Sequence, residues 1–248
     1  MQMIISPAKK MREDTDSFPC QDLPQLLPYT EKLMERLRGM SFPELKALWK
    51  CSDQLAEVNQ ERLAHMELRR GLTPALIAYE GIQYRYMAPG VFTQEELAYV
   101  AGHLRIISGF YGLLRPFDGV TPYRLEMGAK LTVDGAKDLY AFWGSSLAEV
   151  LARESDVILN LASKEYSRAV APHLPPETRM ITCVFGEEQK GRIVEKGTLC
   201  KMARGEMVRY LAQCREEDPE AVQGFDRLGY RFRRDRSTET TYVFVKEA

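Results

Sequence analysis

The sequence predicts an α+β (mixed α/β) fold: a single compact domain with a central mixed sheet, a helical N-terminal third and C-terminal hairpins. Three observations predict it. Apolar runs of strand length, such as MII, LRIIS and DVILNLA, alternate with segments of helical period. The last third carries paired strand-like runs across short polar turns. No internal repeat, low-complexity tract or Ser/Gly linker divides the 248 residues, a length within reach of one large domain.

Each element follows from local signals. Residues 1–5 form a predicted strand that stops at Ser6-Pro7. Residues 23–38 place Leu26, Leu27, Leu33, Met34 and Leu37 at near-helical spacing, with Gly39 as the stop. Ser41 caps a short predicted helix through Lys50, with Pro43 and Glu44 in its first turn. Ser52 or Asp53 caps a longer one, whose Leu55, Val58, Leu63 and Met66 are predicted core residues. ALIAY (75–79) is predicted as a buried strand entering Glu80-Gly81, and Thr93 caps a helix to about Gly102. LRIIS (104–108) is the next predicted strand, residues 138–153 one helix, and DVILNLA (156–162) another buried strand. Residues 180–185 and 192–195 flank EEQKG as a hairpin, 199–214 are helical, and 229–234 with 241–246 make a closing hairpin.

Composition narrows the function classes. Hydrophobic residues at 45% and charged residues at 28% suit a globular protein that buries its own core. The formal net charge of −1 argues against a uniformly basic nucleic-acid binder but leaves room for a local basic cleft. No apolar run approaches membrane-spanning length, and MQMIISPAKK is too short an apolar start for a signal peptide, so the expected location is the cytoplasm. The five cysteines (Cys20, Cys51, Cys183, Cys200, Cys214) form no CxxC pair and suggest reduced thiols. His65, His103 and His173 match no zinc or facial-triad spacing, so no metal is expected. Walker A, GxSxG, HExxH and dinucleotide fingerprints are missing, so neither a cofactor nor an established catalytic motif is expected.

Polar chemistry concentrates in SGFYGLLRPFDGVTPYRLEMG (108–128), which holds four glycines, two prolines, two arginines, two carboxylates and four aromatics. Long ordered loops of this kind are usually functional. Four predicted strands end in polar sequence, at Ser6–Lys9, Glu80-Gly81, Gly109–Gly112 and Ser163–Tyr166. If they run parallel, their carboxyl ends share the sheet edge where ligand crevices form. One crevice would then hold Lys9, Arg115, Asp118, Arg124, Glu126 and Lys164, with Lys201, Arg204 and Arg209 as further candidates from KMARGEMVRYL. The alternative is a set of ordinary solvated loop charges. Gly109 and Gly112 either bring backbone amides to a phosphate or make a tight turn. Gly205 marks either a close backbone approach or a tolerated helix defect. The arginines of the closing hairpin (Arg227, Arg231, Arg233, Arg234, Arg236) either bind nucleic acid or form a solvated strand face, the latter agreeing with Tyr230 and Phe232 alternating inward.

Six segments, ISPAK, SGFYGLLRP, PYRLEMG, YAFWG, NLASKEY and ARGEM, occur in an order that resembles the YaaA peroxide stress response family, over essentially the whole chain. The resemblance implies a cytosolic bacterial protein of the hydrogen peroxide response, associated with lowering free iron. It also implies an unusual α/β fold, a positively charged DNA-binding cleft and a helix-hairpin-helix. Two segments compete for that last element. Residues 42–50 followed by 53–70 supply two helices but no glycine between them, whereas Gly109–Gly112 supplies the glycines and is slightly favoured.

Two function readings follow. A DNA-binding stress protein would hold backbone phosphates, largely without sequence specificity, through Lys9, Gly109, Gly112, Arg115, Arg124, Lys164 and Arg204. An enzyme acting on a nucleotide, nucleobase or nucleic acid would use Asp118, Glu126 or Glu165, which plain phosphate binding does not need. Direct iron sequestration has no ligand set to support it, and no protein partner is expected.

Overall fold

A computed structural model describes residues 1–247. The N-terminal third is helical, as expected. After β1 (Gln2–Ile5) and the short β2 (Lys10–Met11) come α1 (Leu27–Arg38), α2 (Phe42–Trp49) and α3 (Asp53–His65). Ser41 begins α2 by donating its backbone N–H and its hydroxyl to Glu44, which places a carboxylate in the positive first turn. In α3, Leu63 is buried as expected, and so is Met66 just beyond it, but Leu55 and Val58 are exposed, contrary to expectation, and the helix buries Ala56 and Asn59 in their place. Both sets have helical spacing, so only the neighbours of α3 decide which one turns inward.

ALIAY is also corrected. After β3 (Thr73–Pro74), residues Ala75–Ala78 form a buried helical turn, α4, and only β4 (Tyr79–Glu80) is extended, pairing with β2. The amides of Ala75 and Leu76 donate to the carbonyls of Asp118 and Pro116, which holds the turn from outside. A short buried apolar run carries no period that separates the two states.

The chain continues through α5 (Ile82–Met87), α6 (Gln94–His103), β5 (Leu104–Ser108), β6 (Gly112–Leu114) and β7 (Gly119–Val120). Thr93 caps α6 in a reciprocal box with Glu96. Residues 138–153 make two helices rather than one, α7 (Leu139–Trp143) and α8 (Ser146–Glu154), because the chain turns at Gly144 with φ 48°. Next come β8 (Val157–Leu161), α9 (Lys164–Ser167), β9 (Arg179–Gln189), β10 (Arg192–Val194) and α10 (Gly197–Cys214). β11 (Tyr230–Phe232) and β12 (Thr241–Lys246) close the chain as the expected antiparallel hairpin, with Tyr230 buried and Arg231 exposed.

The central sheet runs β11-β12-β9-β8-β1-β5-β6, with β10 paired to β9. Strands β12, β9, β8, β1 and β5 are mutually parallel, while β11, β6 and β10 are antiparallel to their neighbours. Met3, Ile4 and Ile5 of β1 are fully buried, as the middle strand of a sheet covered on both faces requires. The chain leaves β1 towards β5, on one side, and leaves β8 towards β9, on the other. The carboxyl ends of β1 and β8 therefore flank the point where the connections diverge, the place where open parallel sheets form a crevice.

Helix α10 lies against α5, and Gly205 makes that contact possible: a Cβ there would sit 2.1 Å from the Gln83 carbonyl oxygen. This resolves the two readings of Gly205 in favour of close approach. Gly205→Ala should destabilise the protein by about 2–3 kcal/mol in denaturant unfolding through overpacking. At a position that merely tolerated glycine, the same change would stabilise by up to ~1 kcal/mol through helix propensity.

Candidate functional site

A cavity of about 420 Å³ opens at the divergence of β1 and β8. Its wall comes from Ser6–Lys10 beyond β1, Glu80–Tyr84 at the start of α5, and Tyr123–Glu126. Ser163, Glu165 and Tyr166 beyond β8, together with Lys201 and Arg204 of α10, complete it. Two serines join the strand ends. The Ser163 amide donates to Ser6 Oγ at 2.8 Å, and the Ser6 hydroxyl donates to Ser163 Oγ at 3.2 Å. Tyr84 donates its hydroxyl to the Ser6 carbonyl at 3.0 Å, tying α5 to the same corner.

Five cations (Lys9, Lys10, Arg124, Lys201, Arg204) face three carboxylates (Glu80, Glu126, Glu165), a positive excess in a chain whose net charge is −1. Some of that charge is already matched. Lys9 lies 2.9 Å from Glu126, Lys10 2.6 Å from Glu80, and Arg124 3.7 Å from Glu126. Arg204 reaches Glu195 at 3.4 Å, whereas Lys201 has no ion pair among the described residues. The side chain of Arg124 is only 10% exposed, and Nε of both Arg124 and Arg204 is buried with no acceptor. Glu165 accepts the Gly128 amide at 2.9 Å, which fixes its carboxylate at the rim.

Tyr84, Tyr123 and Tyr166 line the cavity, and Tyr79 lies behind Tyr123. Tyr123 lies 2.8 Å from the Tyr79 hydroxyl and 2.6 Å from Ser108 Oγ. Burial disfavours the phenolate, so the Tyr123 hydroxyl is pushed up to about 12 and those of Tyr79 and Tyr84 well above their ordinary range. All three are neutral hydrogen-bonding groups at physiological pH.

The crevice thus gathers Lys9, Arg124, Glu126, Glu165 and Arg204, but not every expected residue. Arg115 and Asp118 lie elsewhere, because β6 runs antiparallel to β5 and carries the chain back towards the amino end of that strand. There Arg115 donates to Asp118 from its backbone at 2.8 Å and from Nε at 2.9 Å, and also meets Asp22 at 3.1 Å. Asp118 is 1% exposed, and desolvation raises its carboxyl above the usual value despite the opposing pull of Arg115. This is an internal structural pair.

Gly109 and Gly112 are likewise structural. They flank the turn between β5 and β6, where Ser108 Oγ already takes the Phe110 and Tyr111 amides. A Cβ at Gly109 would meet the Leu125 carbonyl oxygen at 2.6 Å, and Gly112 has φ 77° against Trp143. Strands rather than helices adjoin this turn, so the helix-hairpin-helix expected there is not formed. Lys164 is exposed on α9, outside the cavity wall, and Arg209 also lies outside it. Sequence reasoning missed Lys10, Gln83 and Tyr84. The helical start at Gly81-Ile82 was the available signal for the last two.

Thiol and metal chemistry find little support. The five cysteines are free, and burial raises the thiols of Cys183 and, to about 11, Cys200, keeping them protonated and weakly nucleophilic. Among the described residues no group of three or more His, Cys, Asp or Glu side chains could hold a metal ion. No described helix is long and apolar enough to cross a membrane.

Two outcomes are expected. Arg115→Ala should cost roughly 2 kcal/mol of stability in chemical denaturation, because Asp118 keeps its burial and loses charged hydrogen bonds. For Tyr123, the raised folded value means stability is complete below pH 10 and is lost as pH rises towards about 12, since the unfolded phenol ionises first. Denaturation at stepped alkaline pH should show this fall, and Tyr123→Phe should reduce it.

Residues 1–236 match the family described as peroxide stress protein YaaA. A UPF0246 protein of Pediococcus pentosaceus is 49% identical over 246 residues, covering 99% of this chain and 98% of its own. UPF0246 proteins of Lachnoclostridium phytofermentans and Lactiplantibacillus plantarum are each 50% identical, covering 99% of this chain and 96% and 99% of their own. With the family matched over nearly the full length, and the relatives aligned from end to end, the chain belongs to the YaaA family of peroxide stress proteins.

Proposed function

We propose that the protein acts in the cytoplasmic peroxide response by binding DNA across the face on which the β1/β8 crevice opens. The observation that carries this reading is the gathering of Lys9, Lys10, Arg124, Lys201 and Arg204 at one sheet edge of a chain with net charge −1. Rim lysines supply contacts to backbone phosphates, which position a nucleic acid without reading its sequence. Shielding DNA in this way limits iron-driven hydroxyl-radical damage, and the effect on iron is indirect. The α2–α3 pair, joined through Lys50, Cys51 and Ser52, is the remaining candidate for a helix-hairpin-helix. It adjoins the crevice, since Arg124 approaches the Trp49 carbonyl at 3.5 Å.

A second reading is favoured by one specific observation: Glu126 and Glu165 share one cavity with Arg124 and Tyr123. Carboxylates beside a fixed arginine suit acid–base work on a bound nucleotide or nucleobase. Under this reading Glu126→Gln abolishes turnover and spares binding, whereas under the first it strengthens binding by removing a negative charge.

The test is duplex affinity against salt by fluorescence anisotropy. Affinity should fall steeply with salt, and Lys201→Ala should lower it equally on unrelated sequences while reducing the slope by about 1. A flat salt response contradicts the DNA reading.

A further inference from the structure

We infer that the β1/β8 cavity takes one nucleotide unit, either free or turned out of a single strand, and that Tyr123, Arg124 and Arg204 recognise it. This rests on the nucleic-acid reading and extends it from a surface to a pocket. A cavity of about 420 Å³ is within the ~300–1,000 Å³ range that encloses a small organic ligand. A duplex, whose major groove alone is about 12 Å wide, stays outside it.

Unmatched hydrogen-bond donors identify the ligand's chemistry. Ser108 Oγ accepts the Phe110 and Tyr111 amides, so both its lone pairs are used and its proton goes to Tyr123 Oη. Only one proton can lie between Tyr123 and Tyr79, whose hydroxyls are 2.8 Å apart. Among the described residues, the other phenol proton has no acceptor. When Tyr79 donates to Tyr123 the leftover proton is on Tyr123, which lines this cavity, and in the opposite sense it is on Tyr79, which lines the neighbouring one. Arg124 and Arg204 add two guanidinium groups to the same cavity lining, their own Nε atoms being buried without an acceptor. The pocket therefore calls for a ligand with an anionic, oxygen-rich end and a second acceptor on a flat body that can lie against Tyr84, Tyr123 and Tyr166. A nucleoside monophosphate has this form.

A path for a strand adjoins the pocket. A second cavity of about 360 Å³ shares Lys10, Glu80, Gly81 and Tyr84 with the first and adds Arg12 and Arg85. Arg85 is exposed, and Arg12 is partly neutralised by Asp14 at 3.2 Å. A backbone laid along this groove would present its next nucleotide to the pocket, with phosphate contacts outside and base contacts within.

Calorimetric titration with each deoxynucleoside monophosphate tests the pocket, with inorganic phosphate and the deoxynucleosides as controls. The expected result is one equivalent of monophosphate bound, more tightly than either control. Arg204→Ala should weaken this about tenfold or more and Tyr123→Phe several-fold, with both variants shown to be folded by thermal melting. A second arm measures binding of a labelled single-stranded oligonucleotide in the presence of saturating monophosphate. Displacement supports insertion of a strand nucleotide. Monophosphate binding without any DNA binding supports the free-nucleotide form and removes the DNA reading. DNA binding with no monophosphate bound and no competition overturns the pocket inference and leaves the DNA reading standing. Binding of phosphate alone as tightly as the monophosphate also overturns it.

Discussion

Parallel pairing on both sides of β1 is the constraint on which the rest of this structure depends. With β5 on one flank and β8 on the other, the chain must leave β1 and β8 in opposite directions, and a gap opens beyond their carboxyl ends. Ser6 and Ser163 close the bottom of that gap through two mutual hydrogen bonds. The walls are brought by elements far apart in sequence. Gly205 lets α10 approach α5 closely enough for Lys201 and Arg204 to reach the same space as Gln83 and Tyr84. Gly109 lets the Leu125–Glu126 backbone cross the β5 end.

The positive excess of the crevice is partly paired with carboxylates. Glu126 sits between Lys9 and Arg124, so a phosphate competes with a carboxylate already in place. Such pairing lowers the cost of holding a mostly buried arginine, and it accounts for a binding face in a chain without overall positive charge. Matched charges also favour a ligand that replaces the carboxylate contact in a defined geometry. Arg115 and Asp118 follow the same logic away from the crevice, where their pairing fastens the chain between β6 and β7.

Much of this was legible in the sequence. The strand ends at Ser6, Gly109 and Ser163 were readable from apolar runs stopping at polar residues, and parallel pairing placed all three at one edge. Lys9 and Glu165 reached the crevice for that reason, Arg124 and Glu126 through the backbone crossing at Gly109, and Arg204 through the close approach of α10 at Gly205. Arg115 and Asp118 did not, because a three-residue strand, β6, reverses the chain within a loop whose composition gives no sign of it. The helical turn at Ala75–Ala78 and the rotation of α3 were hidden for a related reason. Short apolar runs and alternative helical faces are decided by tertiary neighbours, not by period. Tyr84 reaches the cavity, and Tyr79 supports Tyr123 edge-on from behind it, only through the fold.

Hydrogen–deuterium exchange, with and without a saturating single-stranded oligonucleotide, measures directly where nucleic acid lies on this protein. Residues 6–10, 80–84, 123–126 and 163–166 should exchange more slowly in the complex, together with the α10 segment around Arg204. Protection confined to residues 42–65, with the β1/β8 edge unchanged, would contradict the central claim that the crevice is the binding site.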